Sequence, residues 1–345
     1  MEEKVTIYTL AEELNMTPAM VSRALSPNGK VSIENRQRVL KAAEKYNFTP
    51  NRHASRLSMK SIRIGVLIHS KFKINAEKML KGIEDAYDTL KDYKITYDIT
   101  VIGRDTKNAW ECEAELNKYV DYDGVLISGF SSEKCTSMLN DFAKKNPNIV
   151  QIHNINNDIE YLFVSRHDEM LASNMAAEFL SVCLRYRDTK NVILFTGSLE
   201  SSVHRNSQKM FLEAAAIYGL NVLECVDMQD SSQALKKCVP EVFEKYGNHI
   251  DGVYITSGIS VELCKYIESN KLDLSLVTFD VYDELNEYIE KGIISATISQ
   301  NMSKQAQNAF SLFARHVIDG ERVDKTIVTS VQLVMKSNLH LYKRK

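Results

Sequence analysis

From residue 62 onward, short apolar runs alternate with stretches of helical period, and no other feature constrains the 345-residue chain as tightly. Ile62–Ile68 is an apolar run, and Ala76, Met79, Leu80, Ile83, Ala86, Tyr87 and Leu90 follow at helical spacing. Residues 95–102 read as a strand, 109–119 as a helix, 124–127 as a short buried strand, 132–144 as a helix and 149–152 as a strand. Short strands separated by amphipathic helices build βαβ units around parallel sheets. The pattern therefore predicts an α/β body over 62–345. It also echoes itself: Asp123-Gly124-Val125-Leu126-Ile127-Ser128-Gly129 returns as Asp251-Gly252-Val253-Tyr254-Ile255-Thr256-Ser257-Gly258. Two related lobes would explain the echo, as would chance likeness between two buried strands. On the first reading, lobe 1 takes about 62–163 and 297–323, and lobe 2 about 164–296 and 324–340.

Residues 1–60 have a different character. Three of the chain's five prolines lie there, and they punctuate short helical patterns. Ile7, Leu10, Ala11 and Leu14 give one helix. Thr17 followed by Pro18 is an N-cap with a proline at the first helical position. Met20, Val21, Ala24 and Leu25 give the apolar face of a second helix, only three residues after the first. Ser32 caps a third helix, with Val39, Leu40, Ala43 and Tyr46 on one face, which ends by Phe48 and Pro50. Two short helices around a tight turn form a helix-turn-helix, the second of which enters the major groove of DNA. The apolar residues of that helix face inward, so Pro18, Ala19, Ser22 and Arg23 are left outside. Arg23 is the candidate base reader, because a guanidinium pairs bidentately with guanine O6 and N7.

Charge agrees with this division. Residues 1–60 carry a net charge of +4, and residues 17–60 a net of +7, whereas the remaining 285 carry −6. A basic head is an electrostatic footprint for double-stranded DNA. The whole-chain value of −2 conceals it.

The residues Val5–Ala11, Val21-Ser22-Arg23-Ala24-Leu25, Val31-Ser32 and Tyr46–Asn51 resemble the DNA-binding head of the lactose-repressor (LacI/GalR) family, without a gap over 5–60. The resemblance implies DNA-contacting positions at Tyr8, Thr17, Ala19, Ser22, Arg23 and Lys30. It also implies a hinge helix after Pro50-Asn51-Arg52, with Ala54 beside Leu57, a leucine that wedges into the minor groove. The expected organisation is a head over 1–49, a hinge over 50–61 and a two-lobed, periplasmic-binding-protein-like body over 62–345. The same resemblance implies a small sugar-like effector between the lobes and a homodimer bound to a palindromic operator. No leucine heptad follows Val331–Ser337, so no tetramerising tail is expected.

Open parallel sheets bind ligands beyond the carboxyl ends of their strands. The loops to watch are 69–75, 128–132, 196–204, 256–260 and 279–283. The stretches Thr278-Phe279-Asp280 and Gly292–Gln300 match the family's late segment, which puts Asp280 and Gln300 at sugar-contacting positions. A carboxylate suits adjacent hydroxyls because it accepts several hydrogen bonds. The alternative for Asp280 is to cap the helix that starts near 283. Where the family often places an arginine this chain has Ser207, and His204 and Arg205 are the candidate substitutes. The first lobe offers His69, Phe72, Lys73 and Asn75. These cationic candidates leave room for an acidic or phosphorylated effector.

Enzyme motifs do not emerge: there is no GxxxxGK[ST], no GxGxxG after a strand, no GxSxG elbow and no HExxH. No Cys/His spacing suggests a metal, and no cofactor is expected. The loop from Ser198 to Ser202 could hold an anion on backbone N–H groups. His153 and His167 read as structural or surface residues, and Trp110 as packing. Six cysteines without a CxxC pair, no apolar leader after Met1 and no membrane-length apolar run lead to the expectation of a cytoplasmic protein with no membrane partner. The expected function is sequence-specific transcriptional repression under effector control. A body that answers to a protein corepressor, or a carbohydrate-active enzyme fused to the head, are the alternatives.

Overall fold

The computed structural model describes residues 5–25, 31–46, 48, 61–70, 73–103, 109–130 and 135–343. In the head, α1 (Ile7–Glu13), α2 (Pro18–Leu25) and α3 (Ile33–Lys45) close around Leu10, Ala11, Val21, Ala24, Val39, Ala42 and Ala43. Thr6 and Thr9 form a reciprocal cap at the start of α1, and Ser32 accepts from Asn35 N at 3.3 Å to start α3. Asn15, at φ +50°, makes the tight turn. Leu40 departs from expectation. It is 49% exposed, and Ala42, two positions further along the helix, takes the place in the core.

The body consists of two lobes, each built on a six-stranded sheet. The first sheet holds β1 (Ile62–His69), β2 (Ile95–Ile102), β3 (Gly124–Ser128), β4 (Ile149–Ile152), β5 (Phe163–His167) and β11 (Thr326–Thr329), in the order β11-β5-β4-β3-β1-β2. The second holds β6 (Asn191–Thr196), β7 (Asn221–Asp227), β8 (Gly252–Ile255), β9 (Ser275–Phe279), β10 (Ala296–Ser299) and β12 (Gln332–Val334), in the order β12-β10-β9-β8-β6-β7. The orders are the same, position for position. All pairings are parallel except β10 with β12, which is antiparallel. The echoed segments form β3 and β8, which occupy the same place in their sheets.

Successive residues on a strand face opposite sides, so each sheet is covered on both faces. Ile64, Val66 and Ile68 pack under α4 (Lys73–Thr89) and α12 (Met302–Asp319), whereas Leu67, Val125 and Ile127 pack with α5 (Ala109–Asn117) and α6 (Thr136–Ala143). In the second lobe, Val192, Leu194 and Tyr254 lie under α7 (Glu169–Cys183) and α8 (Ser202–Ile217). Ile193, Phe195, Val253 and Ile255 face α9 (Ser232–Tyr246), α10 (Val261–Asn270) and α11 (Asp283–Glu290).

Three chain segments cross between the lobes, and they do not fall at the expected boundaries. Residues 164–167 complete β5 in the first sheet, and 297–299 complete β10 in the second. Residues 326–329 pair with β5 and belong to the first lobe. The crossings therefore lie at 168, at 300–301 and at 330–331. Hydrogen-bond partners fix a strand's sheet, and no local residue pattern names those partners.

Candidate functional site

The head presents its candidate residues as expected where they are described. Thr17, Ala19, Ser22 and Arg23 are exposed, Pro18 is half-buried, and Tyr8 is 71% exposed on α1. Thr17 Oγ1 accepts from Met20 N at 3.2 Å, which starts α2. Arg23 Nε donates to the Ala19 carbonyl at 3.2 Å, so its guanidinium lies along the outer face of the helix. Lys30, Asn51, Ala54 and Leu57 lie outside the described residues, as does Phe72 of the cleft set.

Between the lobes, the carboxyl ends of the strands enclose a cavity of about 590 Å³. His69, Asn75, His204, Arg205, Asp280 and Gln300 all line it. Lys73 does not: its side chain is 91% exposed and reaches Glu77 at 3.6 Å, one turn along α4. The loop from Ser198 is not an anion cradle either. Ser198 N donates to Asp230 Oδ2 (3.4 Å) and Leu199 N to Asp227 Oδ2 (3.2 Å), so both N–H groups already hold carboxylates. Arg205 turns back onto this loop and donates from Nη1 to the carbonyls of Leu199 (2.7 Å) and Glu200 (2.8 Å). His204 Nε2 faces Asp230 Oδ2 at 3.2 Å.

Asp280 and Gln300 meet on the lobe 2 wall. Gln300 Nε2 donates to Asp280 Oδ2 at 2.5 Å, and both residues are buried. The helix-cap alternative fails, because the N-cap of α11 is Tyr282 and no side chain caps there. Asp280 sits at φ +65°, a conformation that costs a non-glycine residue roughly 1 kcal/mol or more. Its strand neighbours hold it there: Asp280 N donates to Ile298 O (2.7 Å), and Thr297 Oγ1 donates to the Asp280 carbonyl (2.6 Å). Burial raises the Asp280 pKa, and the nearby Lys78 ammonium opposes the rise. Lys78 itself reaches across from α4 and donates to the Val281 carbonyl at 2.7 Å, a direct bond between lobes.

Sequence reasoning missed two residues of the opposing wall. His153 and His167 line the cavity with their rings stacked, centroids 5.8 Å apart and planes at 27°. His167 also contacts Phe279 of lobe 2, at 5.8 Å. The Nδ1 atoms of both are buried with no hydrogen-bond partner among the described residues, as are Oε1 of Gln300 and Oε1 of Gln305. Burial pushes His153 down to about 4, with Gln305 opposing and His204 adding to the shift. It pushes His167 down to about 3, and the His153 and Arg166 charges add to it. Both rings are therefore neutral at pH 7. Among the described residues no group of three His, Cys, Asp or Glu side chains could hold a metal ion. The missed signal was the echo. Counted from its glycine, His153 lies 29 residues after Gly124, and Asp280 lies 28 after Gly252.

A helix-turn-helix head joined to a two-lobed α/β body with a polar inter-lobe cleft defines a class of ligand-responsive DNA-binding proteins. The model of the lacI family of bacterial regulatory proteins matches residues 6–51, and that of the periplasmic binding protein domain matches 64–322. The chain belongs to the lacI family and is a DNA-binding regulator whose body resembles sugar-binding proteins. It is 26% identical over 265 residues to the HTH-type transcriptional regulator pepR1 of Lactobacillus delbrueckii subsp. lactis, covering 75% of this chain and 74% of that one. It is 28% identical over 224 residues to catabolite control protein A of Priestia megaterium, spanning 63% of each protein, which is under two thirds of that relative's length. The fold matches the lac repressor dimer bound to operator and the anti-inducer ONPF with a TM-score of 0.64, at 18% identity over 96% of this chain and 98% of that one. The glucose-galactose binding protein GanP of Geobacillus stearothermophilus superposes on it with a TM-score of 0.70, at 20% identity over 81% and 99% of the two chains. No described helix is long and apolar enough to cross a membrane.

Proposed function

We propose that the protein is a cytoplasmic, homodimeric transcriptional repressor with no catalytic activity of its own. Two heads read the two halves of a palindromic operator, with Arg23 as the principal base reader. Tyr8, Thr17, Pro18, Ala19, Ser22 and Lys30 surround it, and Asn51, Ala54 and Leu57 act from the hinge. A small sugar-like effector in the cleft is held by Asp280 and Gln300, with His69, Asn75, His204 and Arg205 around it. The effector changes the angle between the lobes, and through the hinges it changes DNA affinity. Such a coupling amounts to about 1–3 kcal/mol and requires that the effector bind the two lobe arrangements unequally.

The observation that carries this reading is the union in one chain of an exposed α2 face with a cleft where a buried carboxylate and amide converge. The test is selection of an operator from random duplexes at fixed salt, followed by anisotropy titration with and without neutral monosaccharides. The expected result is a palindromic site whose affinity shifts with one sugar. Arg23→Ala is expected to cost about 1–3 kcal/mol at one base pair in each half-site. Equal weakening on every sequence would place Arg23 on phosphate instead.

A further inference from the structure

The two lobes differ at the amino ends of their strands, on the side away from the cleft. In lobe 1 the space between the end of α6 and β4 is filled by Asn146, which is 4% exposed. Its Nδ2 donates to the carbonyls of Tyr122 (2.9 Å), Tyr119 (3.4 Å) and Val120 (3.4 Å), and its Oδ1 accepts from Asn148 N at 3.1 Å. One neutral amide thus ties the chain that enters β3 to the chain that enters β4.

Strand register identifies the same place in lobe 2. Val125 pairs with Ile149 as Val253 pairs with Leu276. Asp123 Oδ2 accepts from Arg63 N at 2.9 Å, and Asp251 Oδ2 accepts from Asn191 N at 2.8 Å, so the approaches to β3 and β8 are anchored alike. Counted back from Gly124 and Gly252, Tyr119, Val120 and Tyr122 correspond to Gly247, Asn248 and Ile250. Counted back from Ile149 and Leu276, Asn146 corresponds to Asp273. An ionised carboxylate has no N–H to give to a carbonyl. The Asp273 side chain turns outward instead, 90% exposed, and accepts from Arg187 Nη2 at 2.6 Å. Where lobe 1 has its amide, lobe 2 has a cavity of about 390 Å³, and Gly247, Asn248, Ile250 and Asp273 all line it.

The lining narrows what fits. Buried Phe243 and Ile250, with half-buried Leu272 and Leu274, give the cavity an apolar side. The carboxyl ends of α9 and α10 border it, and their partial negative charge favours N–H donors. Those helix ends and Asp273 disfavour an anion, and the exposed Arg187 and Lys271 at the rim disfavour a cation. A neutral donor satisfies both conditions, as Asn146 does in lobe 1.

We propose that this cavity is a second ligand site, separate from the cleft between the lobes, for a small molecule with a neutral primary carboxamide on an apolar ring. The amide stands in for the Asn146 side chain and donates to the carbonyls of the 247–250 turn, and the ring lies against Phe243 and Ile250. The experiment titrates the full chain with benzamide and nicotinamide, and with benzoate as a control that only accepts, by calorimetry and thermal melts. The expected result is saturable binding of an amide with a raised Tm, and none of benzoate. Asp273→Asn supplies the internal amide that lobe 1 uses, and is expected to weaken benzamide about tenfold. Asn248→Trp places a bulky ring at the mouth from an exposed position and is expected to abolish binding. Circular dichroism establishes that each variant is folded. Failure of both amides to bind, or tighter binding of benzoate, overturns the proposal. Unchanged amide affinity in either folded variant overturns it too. None of these outcomes bears on the sugar reading of the cleft, which stands or falls on its own titration.

Discussion

The lobes share a topology and differ in the chemistry at the ends of their strands. Lobe 1 ends in His69, His153 and His167, and lobe 2 in Asp230, Asp280 and Gln300. The same backbone thus carries imidazoles on one wall and two carboxylates with an amide on the other. Duplicated architecture fixes where side chains point; the residue type then decides what each wall reads. A sandwich with two different faces binds an asymmetric ligand in one orientation, which a cleft with two like walls would not do.

The turn after each echoed strand gives the largest expected difference. A Cβ on Gly129 would lie 1.8 Å from the His69 carbonyl oxygen, and its φ is +87°. A Cβ on Gly258 would lie 1.8 Å from the Tyr282 hydroxyl, a side-chain atom, with no positive φ to maintain. Gly129→Ala is therefore expected to destabilise by about 3 kcal/mol or more, and Gly258→Ala by less, in urea unfolding. Equal losses would show that the two turns are under the same constraint.

Removing the lobe 2 carboxylate is next in size. Asp280→Ala is expected to lower effector affinity by about 2–3 kcal/mol, roughly a hundredfold, with operator binding retained. An unaltered effector response would remove Asp280 from the site and shift the weight of recognition to lobe 1.

Acid separates the walls by sign. His153 and His167 have folded pKa values of about 4 and about 3, below the ordinary 6.5. As pH falls below about 6.5 the unfolded chain protonates first, so their contribution to stability is present at pH 7 and is lost toward pH 4 and below. Each ring accounts for up to about 1.4 kcal/mol per pH unit in that window. The raised pKa of Asp280 acts in the other direction: it penalises the folded state above the carboxylate range and eases as the group protonates. The net expectation is a melting temperature that falls from pH 7 to pH 5, with a shallower slope in His153→Gln/His167→Gln. An unchanged slope in the double variant would mean that the rings are not held neutral.

The smallest effect concerns the bond that joins the walls. Lys78→Met removes the donor to the Val281 carbonyl and is expected to cost about 1 kcal/mol, a fall of roughly 2–3 °C in Tm. A fall of that size with unchanged sugar affinity would make the bond a brace; a fall in both would tie lobe approach to ligand binding.

The head was legible almost residue by residue, because caps, a turn and an inward apolar stripe are local. Thr17, Pro18 and Ser32 act within one helical turn of where they stand. Leu40 was misplaced for a tertiary reason, since packing against α1 and α2 selected Ala42 instead. In the body, the alternation of runs determined parallel sheets, and the echo marked β3 and β8 as counterparts.

What the sequence determined by itself was the head, the α/β body and six of the residues that line the cleft, Asp280 and Gln300 among them. The tertiary structure alone decided where the chain crosses between lobes, that Lys73 turns away, that Arg205 folds onto its own loop, and that His153 and His167 stand opposite the carboxylate. The physical reason is range. A cap or an apolar stripe is settled by neighbours a few residues away. That an imidazole is buried opposite Asp280 depends on bringing together the ends of β4 and β9, strands of two different sheets that lie more than a hundred residues apart in the chain.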